Sequence, residues 1–325
     1  MPVVPLGMTI QLIKNRSDIG AGTRGSDLGI DALEIAAINS GNDYFNRHKY
    51  IDVLTRNETI YNKNTNNFAK RIEHVVEQCE RVAAAVKVSL QKGYFPVVLS
   101  GDHSSALGTI SGIQAAFPEK TIGVIWIDAH SDIHSPFTSP SGNIHGMPLA
   151  AALAEDNLNC QVNQPSIETL HYWERLKNIG TPGAKLMPAH LIYFGLRDFE
   201  SAEASLIAEK NISVFTVAQV REKGIRQCVE QTRALLQHCD AVYISFDVDS
   251  MDCEQVSYGT GTPVPVGFMP VEISDLLTHL CSSLPVACLE LAEINPLLDN
   301  KGNLMAETAF QLLDTISGLL EQKNN

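Results

Sequence analysis

The feature that most constrains this chain is a repeated alternation. Short runs that are apolar on both faces recur, each followed by a longer stretch of helical period. The runs are 8–13 (MTIQLI), 96–100 (PVVLS), 122–128 (IGVIWID), 191–194 (LIYF), 212–215 (ISVF), 241–247 (AVYISFD) and 286–291 (VACLEL). A strand with one wet face alternates polar and apolar residues, and these do not, so both faces must be covered. The stretches 66–92, 104–116, 146–155, 201–210, 225–238, 271–283 and 306–321 are amphipathic and supply the cover. Strand–helix–strand order implies right-handed crossovers and a mostly parallel sheet. The expected fold is therefore α/β, a three-layer α/β/α sandwich. No low-complexity linker or internal repeat divides the sequence, so one domain is expected over residues 1–325. The polar stretch 156–190 reads as an insertion, and 55–66 (TRNETIYNKNTN) as an exposed loop.

Charge narrows the partners. Lys plus Arg number 24 against 37 for Asp plus Glu, a formal net charge of −13. Such a surface repels phosphate backbones and anionic lipid, which argues against nucleic-acid and membrane partners and favours a small cationic ligand. The seven cysteines (Cys79, Cys160, Cys228, Cys239, Cys253, Cys281 and Cys288) contain no CxxC pair. That argues against a disulfide framework and a thiolate zinc site. The first sixteen residues lack the charged start and small-residue cleavage site of a signal peptide and read as a first strand. No apolar run approaches the roughly 20 residues that span a bilayer. The expected location is the cytoplasm.

Ligands of open parallel sheets bind beyond the carboxyl ends of the strands. Chemistry-bearing residues sit there. Run 122–128 leads into Asp128-Ala129-His130-Ser131-Asp132, whose side chains at i, i+2 and i+4 share one face while the chain stays extended. Run 241–247 ends in Asp247-Val248-Asp249, and run 96–100 is followed by Gly101-Asp102-His103-Ser104. Taken singly, each reads as well as an exposed polar loop. Three at three strand ends do not. Carboxylates gathered in a buried crevice stay ionised only beside cations. His103, Asp128, His130, Asp132, Asp247 and Asp249 are too many ligands for one tetrahedral zinc and suit two cations with shared carboxylates. Hard oxygens with some imidazole point to Mn²⁺, with Fe²⁺ or Co²⁺ as alternatives.

SGDHS (100–104), DAHSD (128–132), SGNIHG (141–146), SFDVDSMD (245–252) and LAEINP (291–296) together resemble the successive motifs of the arginase/agmatinase (ureohydrolase) family, in order over nearly the whole chain. The resemblance implies a parallel α/β/α fold, two Mn²⁺ per chain, a guanidino substrate and a homo-oligomer, trimer or hexamer. It implies that His103, Asp128, Asp132 and Asp247 hold one ion and Asp128, His130, Asp247 and Asp249 the other. It makes Asp132 the partner of the attacking water, His145 the proton shuttle and Glu293 the carboxylate that orients the guanidinium. Ser139, Ser141, Asn143, Glu200 and Glu203 match positions that contact the α-carboxylate and α-amino groups in arginases, and His134 stands where an Asn is usual. That set implies cleavage of L-arginine to L-ornithine and urea. Agmatine or another guanidino compound is the alternative; a single-zinc deacylase and a non-catalytic metal protein are more distant ones. Besides His134, Ser100 stands where Gly is usual, and loop 252–262 is one residue longer.

Gly20-Ala21-Gly22-Thr23-Arg24-Gly25 spells GxGxxG, but turn-compatible residues separate it from the strand ending near Ile13. The tight strand–turn–helix of a dinucleotide site is missing. The loop is expected at the rim of the metal crevice instead.

Overall fold

The computed structural model describes residues 8–322. Its eight strands are β1 (Ile10–Asn15), β2 (Lys49–Asp52), β3 (Phe95–Ser100), β4 (Ile122–Ile127), β5 (Leu191–Phe194), β6 (Ser213–Phe215), β7 (Ala241–Asp247) and β8 (Val286–Ala292). They form one sheet in the order β2-β1-β3-β8-β7-β4-β5-β6. Every pairing is parallel. The first of the expected runs starts later than read, at Ile10; residues 1–7, part of the signal-peptide question, lie outside the described residues.

Helices α1 (Gly29–Asn39), α2 (Tyr44–Arg47), α3 (Ile72–Gln91), α4 (Ala106–Ala116), α5 (Pro148–Leu153) and α6 (Ile167–Lys177) come first in the chain. Then follow α7 (Ser201–Glu209), α8 (Val217–Lys223), α9 (Ile225–Leu235), α10 (Pro270–Ser283) and α11 (Leu304–Gln322). The period of two along each strand splits the core in two. Val97, Leu99, Ile125 and Ile127 face a cluster built with α1, α9, α10 and α11. Val98, Val124 and Trp126 face the opposite cluster, built with α3, α4, α5 and α6. This is the three-layer sandwich the doubly apolar runs require.

Three parts of the sequence reading change. The stretch 156–190 is not simply an insertion: it carries α6, whose Trp173 and Leu176 are buried in the core. Helix α1 and edge strand β2 fall in the region where Gly-rich punctuation hid the pattern. The loop 55–66 contains a 3₁₀ turn, Asn57–Tyr61, with Thr59 buried and Tyr61 fully out in solvent. No helix among the described residues is long and apolar enough to cross a membrane.

Strand order places the site. The chain passes from β3 to β4 across the positions later filled by β7 and β8. The carboxyl ends of β3, β8, β7 and β4 therefore surround one crevice, at the reversal of strand order where open sheets bind ligands.

Candidate metal centre

Each of the four central strands delivers part of the site. Beyond β3, Gly101 packs so closely on the chain that a Cβ there would stand 2.3 Å from the Ser17 carbonyl oxygen. Asp102 accepts from the amides of Gly20 and Ser104 at 2.9 and 2.8 Å, so it shapes the turn. That turn aims His103 into the crevice. Beyond β7, the Asp247 carboxylate accepts from the Asp249 amide at 2.8 Å and starts a short 3₁₀ turn. Asp249 in turn accepts from the Ala129 amide at 3.1 Å and from the Thr262 hydroxyl at 3.0 Å.

The segment after β4 does not stay extended, contrary to the i, i+2, i+4 reading. The strand ends at Ile127, and Asp132 adopts a left-handed φ of 49°. The bend sends its side chains two ways. His103 Nδ1 lies 3.1 Å from Asp128 Oδ2, 3.2 Å from Asp132 Oδ2 and 3.1 Å from Asp247 Oδ2. His130 Nδ1 instead lies 3.6 Å from Asp128 Oδ1 and 2.9 Å from Asp249 Oδ2. Two groups of potential ligands result, His103–Asp128–Asp132 and Asp128–His130–Asp249, with Asp128 in both.

The electrostatics are those of a site built for cations. Burial would strip the proton from His103, yet the surrounding carboxylates of Asp128, Asp132 and Asp247 hold its pKa well above the imidazole range. Burial also opposes the charge on His130, and Asp249 and Asp128 raise it nonetheless. Burial pushes Asp247 well above the carboxylate range, with Asp249 and Asp128 adding to the shift. Asp132 rises to about 6 through burial and the neighbouring Asp128. Crowded carboxylates resist ionising together, and protons collect where positive charge is needed. His103 Nδ1 and Asp128 Oδ2 are moreover buried without a hydrogen-bond partner. Buried polar atoms are rarely orphaned, and two facing each other among carboxylates fit ligands of a cation.

A model of the Arginase family matches residues 9–318. The chain belongs to the arginase family. It is 32% identical over 312 residues to the arginase of Bacillus caldovelox, covering 95% of this chain and 98% of that one. It is 34% identical over 304 residues to the arginase of Brevibacillus brevis, covering 93% and 95%. The solved native structure of the Bacillus caldovelox arginase superposes with a TM-score of 0.82 at 32% identity, covering 96% of this chain and 98% of that chain. Arginase-family proteins are metal-dependent hydrolases, in keeping with the ligand groups here.

Above the ligands the crevice opens to about 620 Å³. Twelve of the fourteen residues singled out in the sequence line it; the other two, His103 and Asp128, lie buried beneath. Glu293, just past β8, has a left-handed φ of 67°. A non-glycine residue held there stores about 1–3 kcal/mol of strain, a cost that functional sites often carry. Its Oε1 accepts from the His103 amide at 2.9 Å and pairs with His145 Nδ1 at 3.1 Å. Burial works against a charged His145, but Glu293 wins and lifts its pKa to about 9.

The 139–146 loop is braced from outside. Gly142 has a φ of 72°, and a Cβ there would stand 2.1 Å from the Asn67 carbonyl oxygen. Ser139 accepts from the Gly142 amide, Ser141 from the Asn143 amide, and Asn143 from Lys70 Nζ. The GxGxxG loop supports the same wall: the Gly20 carbonyl accepts from the His145 amide, and Gly22 abuts Asn143. It lies between β1 and α1 at the rim of the crevice.

Glu200 and Glu203 form the capping box of α7. Ser131 donates to Glu203 at 2.5 Å. Burial, reinforced by Glu200, lifts Glu203 to about 8. His134 is held on both sides, Nε2 at 2.9 Å from Glu200 and Nδ1 at 3.0 Å from the Thr138 hydroxyl. Burial lowers its pKa although Glu200 opposes the shift. Neutral His134 thus spends its one N–H on an acceptor-only carboxylate, rather than keeping it free as a donor. His134, Glu200 and Glu203 also lie close enough to suggest a third ligand group, but none has an orphaned atom.

Sequence reasoning missed Thr262, which touches Asp249, and Trp126, whose ring stacks on His103 at 4.0 Å and 12°. The lengthened 252–262 loop was the signal for the first. A tryptophan two residues before the strand-end aspartate was the signal for the second.

Proposed function

We propose that this chain hydrolyses the guanidinium group of L-arginine to L-ornithine and urea, with two Mn²⁺ ions. One ion falls to His103, Asp128, Asp132 and Asp247, the other to Asp128, His130, Asp247 and Asp249. The observation that carries this reading is the sharing of Asp128 by two ligand groups, with the His145–Glu293 pair in the same crevice. When bound, the cations supply Lewis acidity that brings the pKa of water toward neutrality.

The chain's own groups do the rest. Glu293 offers a carboxylate to the planar guanidinium, a partner that fixes orientation as well as charge. Asp132, with its raised pKa, accepts a proton from the water as the water oxygen bonds to the guanidinium carbon. The bond from that carbon to the δ-nitrogen breaks as His145, still protonated at neutral pH, supplies the leaving amine with its proton. Ser139, Ser141 and Asn143 face the amino-acid end, with His134, Glu200 and Glu203 opposite. The net charge of −13 favours arrival of a cationic substrate.

Urea release from L-arginine and agmatine, side by side after Mn²⁺ loading, tests the reading. Arginine is expected to be the better substrate by kcat/KM; faster agmatine cleavage would transfer the assignment to an agmatinase. We further read residues 1–325 as one catalytic domain, assembling as a trimer or hexamer in the cytoplasm. The scattered cysteines, with no CxxC pair among them, favour a reducing compartment. Light scattering and cell fractionation test these two points.

A further inference from the structure

A metal-binding imidazole needs its second nitrogen tied down, or its ring and tautomer wander. The two histidines of this centre differ in that respect. Among the described residues, His130 Nε2 faces Asp198, at 3.6 Å, whose side chain is largely in solvent. His103 Nε2 faces Ser245 Oγ at 2.7 Å, inside the sheet.

The path continues from there. Ser245 lies beside the Tyr243 hydroxyl, two residues back on β7, close enough to ease its ionisation. That hydroxyl donates to Glu290 Oε2 at 2.7 Å, and Ser100 donates to Glu290 Oε1 at 2.7 Å. Sheet register sets Glu290 on β8 beside Ser245 on one side and Val98 on the other. Ser245, Tyr243 and Glu290 are all fully buried.

Counting hydrogens gives the path one direction. A carboxylate only accepts, so Tyr243 and Ser100 must donate to Glu290. With its hydrogen spent, the Tyr243 oxygen can only accept from Ser245. Ser245 then has only lone pairs left for His103, so Nε2 must carry the hydrogen. Nδ1, the nitrogen facing Asp128, Asp132 and Asp247, is left bare as a ligand. Trp126, stacked on the ring, fixes its plane.

We propose that Tyr243 and Glu290, braced by Ser100 and acting through Ser245, are positioning residues that fix His103 as a cation ligand. This rests on the proposed function. It also gives Ser100 a partner and a task. The rival explanation is a buried carboxylate satisfied by two hydroxyls for packing alone.

Mn²⁺ titration of the full-length metal-free chain by calorimetry separates the two, with thermal unfolding of the same metal-free samples beside it. Tyr243→Phe is expected to weaken Mn²⁺ binding about tenfold, the usual scale for losing an outer-shell partner. The Tyr243→Phe/Glu290→Gln pair should bind Mn²⁺ no more weakly than Tyr243→Phe, because links in series do not add. Glu290→Gln keeps the size of the side chain and is expected to weaken Mn²⁺ in the same direction. It carries the test if Tyr243→Phe does not fold. Parental Mn²⁺ affinity in the folded variants, with lowered unfolding temperature, would overturn the proposal in favour of packing. If the parent binds Mn²⁺ and releases urea while the variants match it, the relay alone falls. If the parent takes up no Mn²⁺, the proposed function falls with it.

Discussion

At the floor of the crevice, His103, Asp128 and Asp247 are 1%, 1% and 3% exposed and sit at or just past three central strands. At the rim, Ser141 is exposed, the Glu200 side chain is 58% exposed, and the supports are loops and a helix cap. Floor residues are fixed by strand pairing on both sides and by two hydrophobic layers. Rim residues are fixed by single hydrogen bonds between loops, each with a net worth of about 1 kcal/mol. The floor is thus over-determined and unforgiving, the rim adjustable. On the proposed assignment, metal chemistry falls to the floor and substrate choice to the rim.

The largest effect expected on this division comes from Asp128→Asn or Asp247→Asn. Each removes a carboxylate assigned to both ions and leaves neighbours arranged around a missing charge. Elemental analysis should find metal content well below the parent, and urea release should fall to near background. Full metal content with full turnover would break the contrast at its strongest point.

His145 stands between floor and rim, and His145→Asn should keep metal content while lowering kcat on the order of 10²-fold, the typical worth of a positioned acid. Its pH signature follows from the pair with Glu293. His145 is raised to about 9, so the imidazolium and its pairing are complete below its ordinary range near 6.5 and are lost as pH climbs through about 9. The parental kcat should fall on the alkaline side near that value, and His145→Asn should lack that fall. An unchanged kcat would assign His145 to loop structure alone.

The same contrast governs how much the sequence discloses. DAHSD and FDVD advertise themselves because ligand-type residues close buried apolar runs, and the floor was legible from them. The geometry behind them was not: Asp132 arrives through a left-handed bend that no period-two pattern encodes. Tyr243, Ser245 and Glu290 were passed over because an isolated hydroxyl or carboxylate inside AVYISFD or VACLEL reads as strand. A polar group buried there needs a partner, and that requirement was the available signal. Helix α6 was masked by the polar composition of 156–190, although Trp173 and Leu176 show its inward face. At the rim, Glu200 and Glu203 were legible as positions but not as a capping box that also holds His134.

A milder probe of the floor is Thr262→Val, which keeps shape and removes the 3.0 Å hydrogen bond to Asp249. A hydrogen bond to a charged group is worth about 1.5 kcal/mol or more, so Mn²⁺ affinity should fall roughly tenfold. Direct Mn²⁺ titration checks it, and an unchanged affinity would move Thr262 from floor to rim.

The smallest effect is expected from His134→Asn. Burial lowers the pKa of His134 despite Glu200, so the ring is neutral across the working pH range, and its hydrogen on Nε2 points to Glu200. To bind a substrate carboxylate it would have to release that partner, leaving Glu200 to find solvent, which its 58% exposed side chain can do at little cost. An asparagine also offers a neutral donor there, so little is gained or lost. KM for arginine should change by less than about tenfold, equivalent to about 1.4 kcal/mol. Because the pKa is lowered, any charge-dependent part of binding should be present only below the ordinary imidazole range, leaving KM flat from neutral to alkaline pH. Steady-state kinetics of parent and His134→Asn across that range decide the matter. A KM that rises through neutral pH in the parent but not in the variant would show a charged His134 on the substrate, and the rim would prove as unforgiving as the floor.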